Sequence, residues 1–232
     1  MLTNRLSNFL IYALIILVPL THKEMFSVID PDMVWSKFVL LLLAVLGITL
    51  LIKRCREYMK DFLFILLSLL ISFQVLSLFI SKDPYNTARF IGFNLAVLFS
   101  HPVLKEYIYQ FGVNKLVKIY KLGFLGVFAF LLYQMYLQEN FGKAIGGVWP
   151  VPGFSTRYGA TFWDVNHFGI YLVTLLFLIV SSKSFAGKFI NLSLSILILI
   201  SLVYTKSRSS FIALFIAGIF YFGIQIYRYI RN

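Results

Sequence analysis

The sequence predicts an all-α fold, a polytopic transmembrane helical bundle of about eight spans, and three observations carry that reading. Only 13% of the 232 residues are charged while 60% are hydrophobic, against about a quarter charged in an ordinary soluble domain. The apolar residues come in repeated runs, several long enough for the roughly 20 residues that cross a bilayer as a helix. Those runs are continuous rather than alternating. A lipid-embedded backbone must bond its own amides within a helix or a closed barrel, and continuous runs favour helices.

The first run, Phe9 to Leu20, follows Arg5 and places a span near 7–21. The following Thr21-His22-Lys23-Glu24 offers no small-residue cleavage site, so the run reads as an uncleaved helix and not as a signal peptide. A second span near 38–52 ends on the basic turn Lys53-Arg54-Cys55-Arg56, and a third lies near 62–80. The turn-rich Ser81-Lys82-Asp83-Pro84-Tyr85-Asn86 leads to a fourth, near 89–101. Asn94 and Ser100 interrupt that span, and His101-Pro102 is expected to end it, because the residue before a proline is disfavoured in a helix. Residues 101–118 then read as an inner loop, long enough for an interfacial amphipathic helix. A fifth span falls near 119–137. The longest loop, 138–165, carries Gly146-Gly147, Trp149, Pro150, Pro152, Gly153 and Trp163, and long loops with little regular pattern are often functional. Spans near 166–182, 189–204 and 210–226 complete a single integral membrane domain over residues 1–232.

The net charge of +12 does not indicate nucleic acid, because the basic residues sit in short loops between apolar runs. With the N-terminus inside, the outer segments carry Lys23, Lys37, Lys82, Arg89, Lys143, Arg157, Lys206 and Arg208, which leaves 13 of the 21 basic residues inside. That bias favours both termini in the cytoplasm. The lone Cys55 excludes an internal disulfide and a cysteine-based zinc site. Asp30, Asp32, Asp83 and Glu139 could form a metal or acid-base site, but their spacing matches no metal motif and solvated loop ends account for them. No phosphate-binding glycine loop, His-Glu-x-x-His or serine-nucleophile motif is present. Asn191-Leu-Ser193 fits a glycosylation pattern but falls inside span seven.

The chemistry-bearing residues gather in 157–215. Arg157 ends the long third outer loop, and Arg208 lies between spans seven and eight. Spans six and seven are joined by the short turn Ser181 to Lys188, so counting helices returns Arg208 to the face that holds Arg157. Arginine's planar fork suits a phosphate or diphosphate better than lysine's point charge. The competing reading is that each arginine sits among lipid headgroups. Asp164 and Asn166, at the start of span six, suit helix N-capping. Histidine is a candidate general base, which makes His167 one here, but a single histidine at a membrane interface is more often structural. His22 and His101 have weaker claims.

Arg157-x-Gly159-x-Thr161-Phe-x-x-x-Asn166-x-Phe168-Gly169-x-Tyr171-Leu172, followed by Ser207-Arg208-Ser209-Ser210 opening an apolar helix, resembles the O-antigen ligase and O-antigen polymerase superfamily. The Ser81-Lys82-Asp83-Pro84 turn also looks like that family's early outer loop. The resemblance implies a membrane glycosyltransferase of the bacterial cytoplasmic (inner) membrane. Its donor would be an undecaprenyl-diphosphate-linked glycan, and its acceptor a lipid A-core sugar, another glycan repeat or a protein. It implies no cofactor: neither a nucleotide sugar nor a metal. Arg157 and Arg208 would hold the diphosphate as it leaves, with Gly159, Asp164, Asn166, His167 and Ser207 in support. The sequence departs from the family pattern in having Val165 where a proline usually precedes Asn166, and Ala160 between Gly159 and Thr161. The family's later outer loop, which supplies a histidine, has no counterpart before Asn232. The expectation is therefore a fragment, a chain that works with other polysaccharide-assembly proteins, or an inactive one. The alternatives are a non-catalytic membrane component or remnant of such a system, and a small transporter. The transporter ranks last because the ionisable residues gather at helix ends rather than at the midplane.

Overall fold

The computed structural model describes residues 2–17, 19–20, 35–149, 156–162, 164–181 and 187–231. Among them are eight helices: α1 (Leu2–Leu17), α2 (Trp35–Tyr58), α3 (Phe62–Leu78), α4 (Pro84–Phe111), α5 (Val113–Phe141), α6 (Val165–Ser181), α7 (Lys188–Thr205) and α8 (Arg208–Arg231). A short antiparallel ribbon, β1 (Val148–Trp149) with β2 (Arg157–Tyr158), lies between α5 and α6. Five helices, α2, α4, α5, α7 and α8, are long and apolar enough to cross a membrane. The chain is a helical, multi-pass membrane protein. The apolar helices α1, α3 and α6 are shorter, at 16, 17 and 17 residues.

Helix boundaries follow local chemistry. Asp61 caps α3, its carboxylate accepting from Leu63 N (2.9 Å) and Phe64 N (3.2 Å). Asp83 caps α4 by accepting from Asn86 N (3.1 Å), with Pro84 in the first turn where its missing N–H costs nothing. The fourth span needs a correction. His101-Pro102 does not end it, and 101–118 is not a loop: α4 continues through Pro102 to Phe111, where Gly112 (φ +74°) closes it, and α5 starts at Val113. A proline removes one hydrogen bond and bends a helix, but packing on both sides can hold the helix through it. Here Ser100, Pro102, Val103 and Tyr107 are all buried. The 28 residues of α4 span about 42 Å, more than the hydrocarbon thickness of a bilayer.

The described residues form two compact units. The first holds residues 2–17 and 35–113. Its core joins Tyr58, Phe64, Ile71, Ile91 and Leu98, and a second cluster joins Leu40, Ala44 and Ala96. Gly47 lets α2 cross α4 at backbone distance, since a Cβ there would overlap the Phe99 carbonyl. The second unit holds residues 19–20 and the described residues from 114 to 231. Its central element is α6, which buries a stripe of Phe168, Leu172, Leu175 and Ile179 and is packed by α7 and α8.

Candidate functional site

The site is built at one end of the second unit, where α6 and α8 begin and α7 stops. Asp164 caps α6: its Oδ1 accepts from Asn166 N (2.6 Å) and its carbonyl from Phe168 N (3.1 Å). Asn166 is not the cap. Its Oδ1 reaches across to the start of α8 and accepts from Ser207 Oγ (2.7 Å) and Ser209 Oγ (3.3 Å). Helix α7 ends on Lys206, which takes the left-handed conformation (φ 49°, ψ 32°) and reverses the chain. Ser207 then caps α8, its Oγ accepting from Ser210 N (3.3 Å) and from Ser210 Oγ (2.7 Å). Ser207, Ser210 and Thr205 are completely buried. Gly169 makes the approach possible: a Cβ on α6 there would overlap the Ser210 side chain.

The ribbon is fastened to the same corner. Arg157 Nε donates to the carbonyl of Thr205 (3.1 Å), a last-turn group with no partner inside its helix. Lys206 Nζ donates to Thr156 O (2.9 Å). The two arginines that helix counting assigns to one face are therefore brought to one turn. Arg157 reaches Thr205 O, and Arg208, three residues later, is the exposed first residue of α8. His167 is exposed in the first turn of α6. Gly159 directly follows β2, its N–H donating to Gly147 O (2.6 Å).

Sequence reasoning missed Gln134. This amide is fully buried on α5 and clamps the loop, donating to Ile145 O and Ala160 O and accepting from Ala160 N (3.1 Å). Ala160 sits at φ 51°, a left-handed position costly for any residue but glycine. The available signal was a lone amide inside the apolar run of span five. Glu139, on the same helix, accepts from Tyr158 Oη (3.0 Å). Burial and that carboxylate push the Tyr158 phenol up to about 12.

Of the carboxylates weighed as a metal or acid-base site, Asp83 caps α4 and Glu139 holds Tyr158, while Asp30 and Asp32 lie outside the described residues, as do His22 and Trp163. No group of three metal-ligating side chains occurs among the described residues. Compared with known proteins, the chain matches no family model, no curated protein and no solved structure.

The electrostatics point one way. Helix N-termini carry partial positive charge, and here two of them are hydrogen-bonded side by side. Arg208 adds a full positive charge at the first position of α8, where the helix dipole disfavours a cation. Arg157 adds a second, with its Nε committed to Thr205 O and its Nη groups still able to donate. Asp164 supplies one neighbouring negative charge. This concentration of donors and positive potential suits an anion.

Proposed function

We propose that this corner holds the diphosphate of a lipid-linked glycan, and that the chain is an O-antigen ligase-like or polymerase-like glycosyltransferase of the bacterial inner membrane. The observation that carries the reading is the convergence of Arg157, Arg208 and the paired N-termini of α6 and α8 on the α7–α8 turn. In the transfer, an acceptor hydroxyl of a sugar, lipid A-core or protein bonds to the anomeric carbon and releases its proton to water. The bond from that carbon to the undecaprenyl diphosphate oxygen breaks, and negative charge grows on the leaving diphosphate. Donors fixed in advance around that charge stabilise the transition state without reorganising. Thr205, Asn166 and Ser207 hold the donors in place.

A second reading is favoured by a specific observation. The carboxylates at this corner are occupied, Asp164 by the α6 cap and Glu139 by Tyr158. A corner that binds diphosphate while its described carboxylates are engaged in structure suits a non-catalytic component that presents the carrier lipid to other polysaccharide-assembly proteins.

The test is glycan transfer from an undecaprenyl-diphosphate-linked donor by wild type, Arg157→Ala and Arg208→Ala in membranes. Each variant is expected to lose about 10²–10³-fold in rate. Full product from both variants refutes the transferase reading. Arginine-dependent binding of undecaprenyl diphosphate without transfer by wild type selects the second.

A further inference from the structure

The first unit contains a polar cavity that the glycan-transfer reading does not use. It measures about 270 Å³ and opens between α1, α2 and α4. Leu46, Leu50 and Val103 form an apolar floor, while Asn8, Lys53, Arg54 and Glu106 line the polar part. Glu106 is already engaged, with Arg54 Nη1 at 3.3 Å on one oxygen and Gln110 Nε2 at 3.1 Å on the other. Lys53 and Asn8 have no polar side-chain partner among the described residues. Two cations against one carboxylate leave this lining net positive.

Helix α2 leaves helical geometry at Arg54 (φ −131°, ψ 33°), at the edge of the cavity. Cations near the end of α2 also suit its dipole, which accounts for charge there. It does not account for a polar cavity shared by three helices, with Lys53 and Arg54 at its exposed rim and Val103 buried. Lipid chains cannot satisfy the donors of such a lining, which suit a polar occupant. The volume equals that of roughly nine water molecules. It falls below the roughly 300–1,000 Å³ of pockets that take larger ligands, so a headgroup fits and a glycan does not.

We propose that this cavity binds a phosphate-bearing anion, the headgroup phosphate of an anionic glycerophospholipid or free phosphate. Lys53 takes a phosphate oxygen, Arg54 shares its guanidinium between Glu106 and the phosphate, and Asn8 meets a neighbouring hydroxyl. The Leu46, Leu50 and Val103 floor receives the apolar continuation of a lipid.

The experiment uses the full chain in phosphatidylcholine nanodiscs with or without phosphatidylglycerol, and reads lipid retained after transfer to detergent by native mass spectrometry. A parallel arm titrates inorganic phosphate into phosphatidylcholine nanodiscs. Wild type is expected to retain phosphatidylglycerol over phosphatidylcholine. Lys53→Gln and Arg54→Gln should each weaken retention about fivefold, whereas Arg56→Gln, outside the lining, should not. Phosphate binding that depends on Lys53 and Arg54, with no lipid preference, assigns the soluble source and also supports the site. A variant that misfolds, judged by its thermal midpoint, is replaced by Asn8→Leu, which removes the hydroxyl partner without touching charge and should also weaken retention. Binding of both probes that is indifferent to Lys53, Arg54 and Asn8, or an equal loss in Arg56→Gln, overturns the proposal.

Discussion

Replacing Gln134 with leucine should open the ribbon while leaving the helices intact. The amide makes three hydrogen bonds, to Ile145 O, Ala160 O and Ala160 N. Ala160 O keeps a partner in Gly147 N (3.2 Å). Ala160 N keeps none among the described residues and is completely buried, at a cost of about 1–3 kcal/mol for an orphaned donor. Ile145 is only half-buried, so its carbonyl recovers water and costs about 1 kcal/mol. Leucine matches glutamine in size, so no cavity offsets or enlarges the sum. The left-handed Ala160 then lacks its clamp and favours opening. The total is about 2–4 kcal/mol, and at about 1.4 kcal/mol per tenfold the lower bound is a thirtyfold rise in amide exchange. Hydrogen–deuterium exchange on peptides from 142–149 and 156–162 reads this directly, with α7 as internal control. A rise below about threefold in those peptides, or an equal rise in α7, would refute the clamp. Gln134→Glu sharpens the test. An ionised carboxylate still accepts from Ala160 N but cannot donate to the two carbonyls. Protection in that variant should return as pH falls and the acid becomes a donor.

Two further predictions concern packing and pH. Gly169→Ala should lower the thermal midpoint through a clash worth about 1–3 kcal/mol, and Ser210→Gly should relieve part of it; additive effects in the double-mutant cycle would show that α6 and α8 do not meet there. Asp61 is lowered from 3.8 to about 2, chiefly by the hydrogen bond from Lys105 Nζ. Its folded pKa is depressed, so its stabilisation is present above about pH 4 and lost as pH falls toward 2. Asp61→Asn keeps a capping oxygen but should lack that component of the acid-induced fall in thermal midpoint, and parallel pH profiles would count against the Lys105 contact.

The helices were legible because their signal is local. Each of the eight expected spans overlaps one helix, and α3, α6 and α7 match within two residues at either end. Their apolar runs stop at residues that cap: Asp61, Asp164, and Lys206 followed by Ser207. The grouping of Arg157 with Arg208 was legible for a different reason. A helix reverses the chain's position across the bundle, so counting reversals suffices without any contact. The end of α4 was misread because proline's local preference for stopping a helix is smaller than the packing that buries Pro102 and its neighbours. The ribbon was missed because two-residue strands have no periodicity to detect, and contacts distant in sequence hold them: Gln134 to Ala160, Arg157 to Thr205 and Tyr158 to Glu139.

Composition and apolar run length by themselves determine a helical membrane protein, since a backbone in lipid has few other ways to satisfy its amides. Cap residues determine where several helices begin, because their hydrogen bonds span only two or three positions. What Asn166 does was decided by the tertiary structure alone. From the sequence it is one of two equivalent caps, yet Asp164 takes the cap and Asn166 bridges to Ser207, 41 positions away. The same holds for Arg157, whose Nε is fixed by the carbonyl of Thr205, 48 positions away. Contacts at that separation depend on which helix ends meet, and Gly169 against Ser210 sets how closely they do.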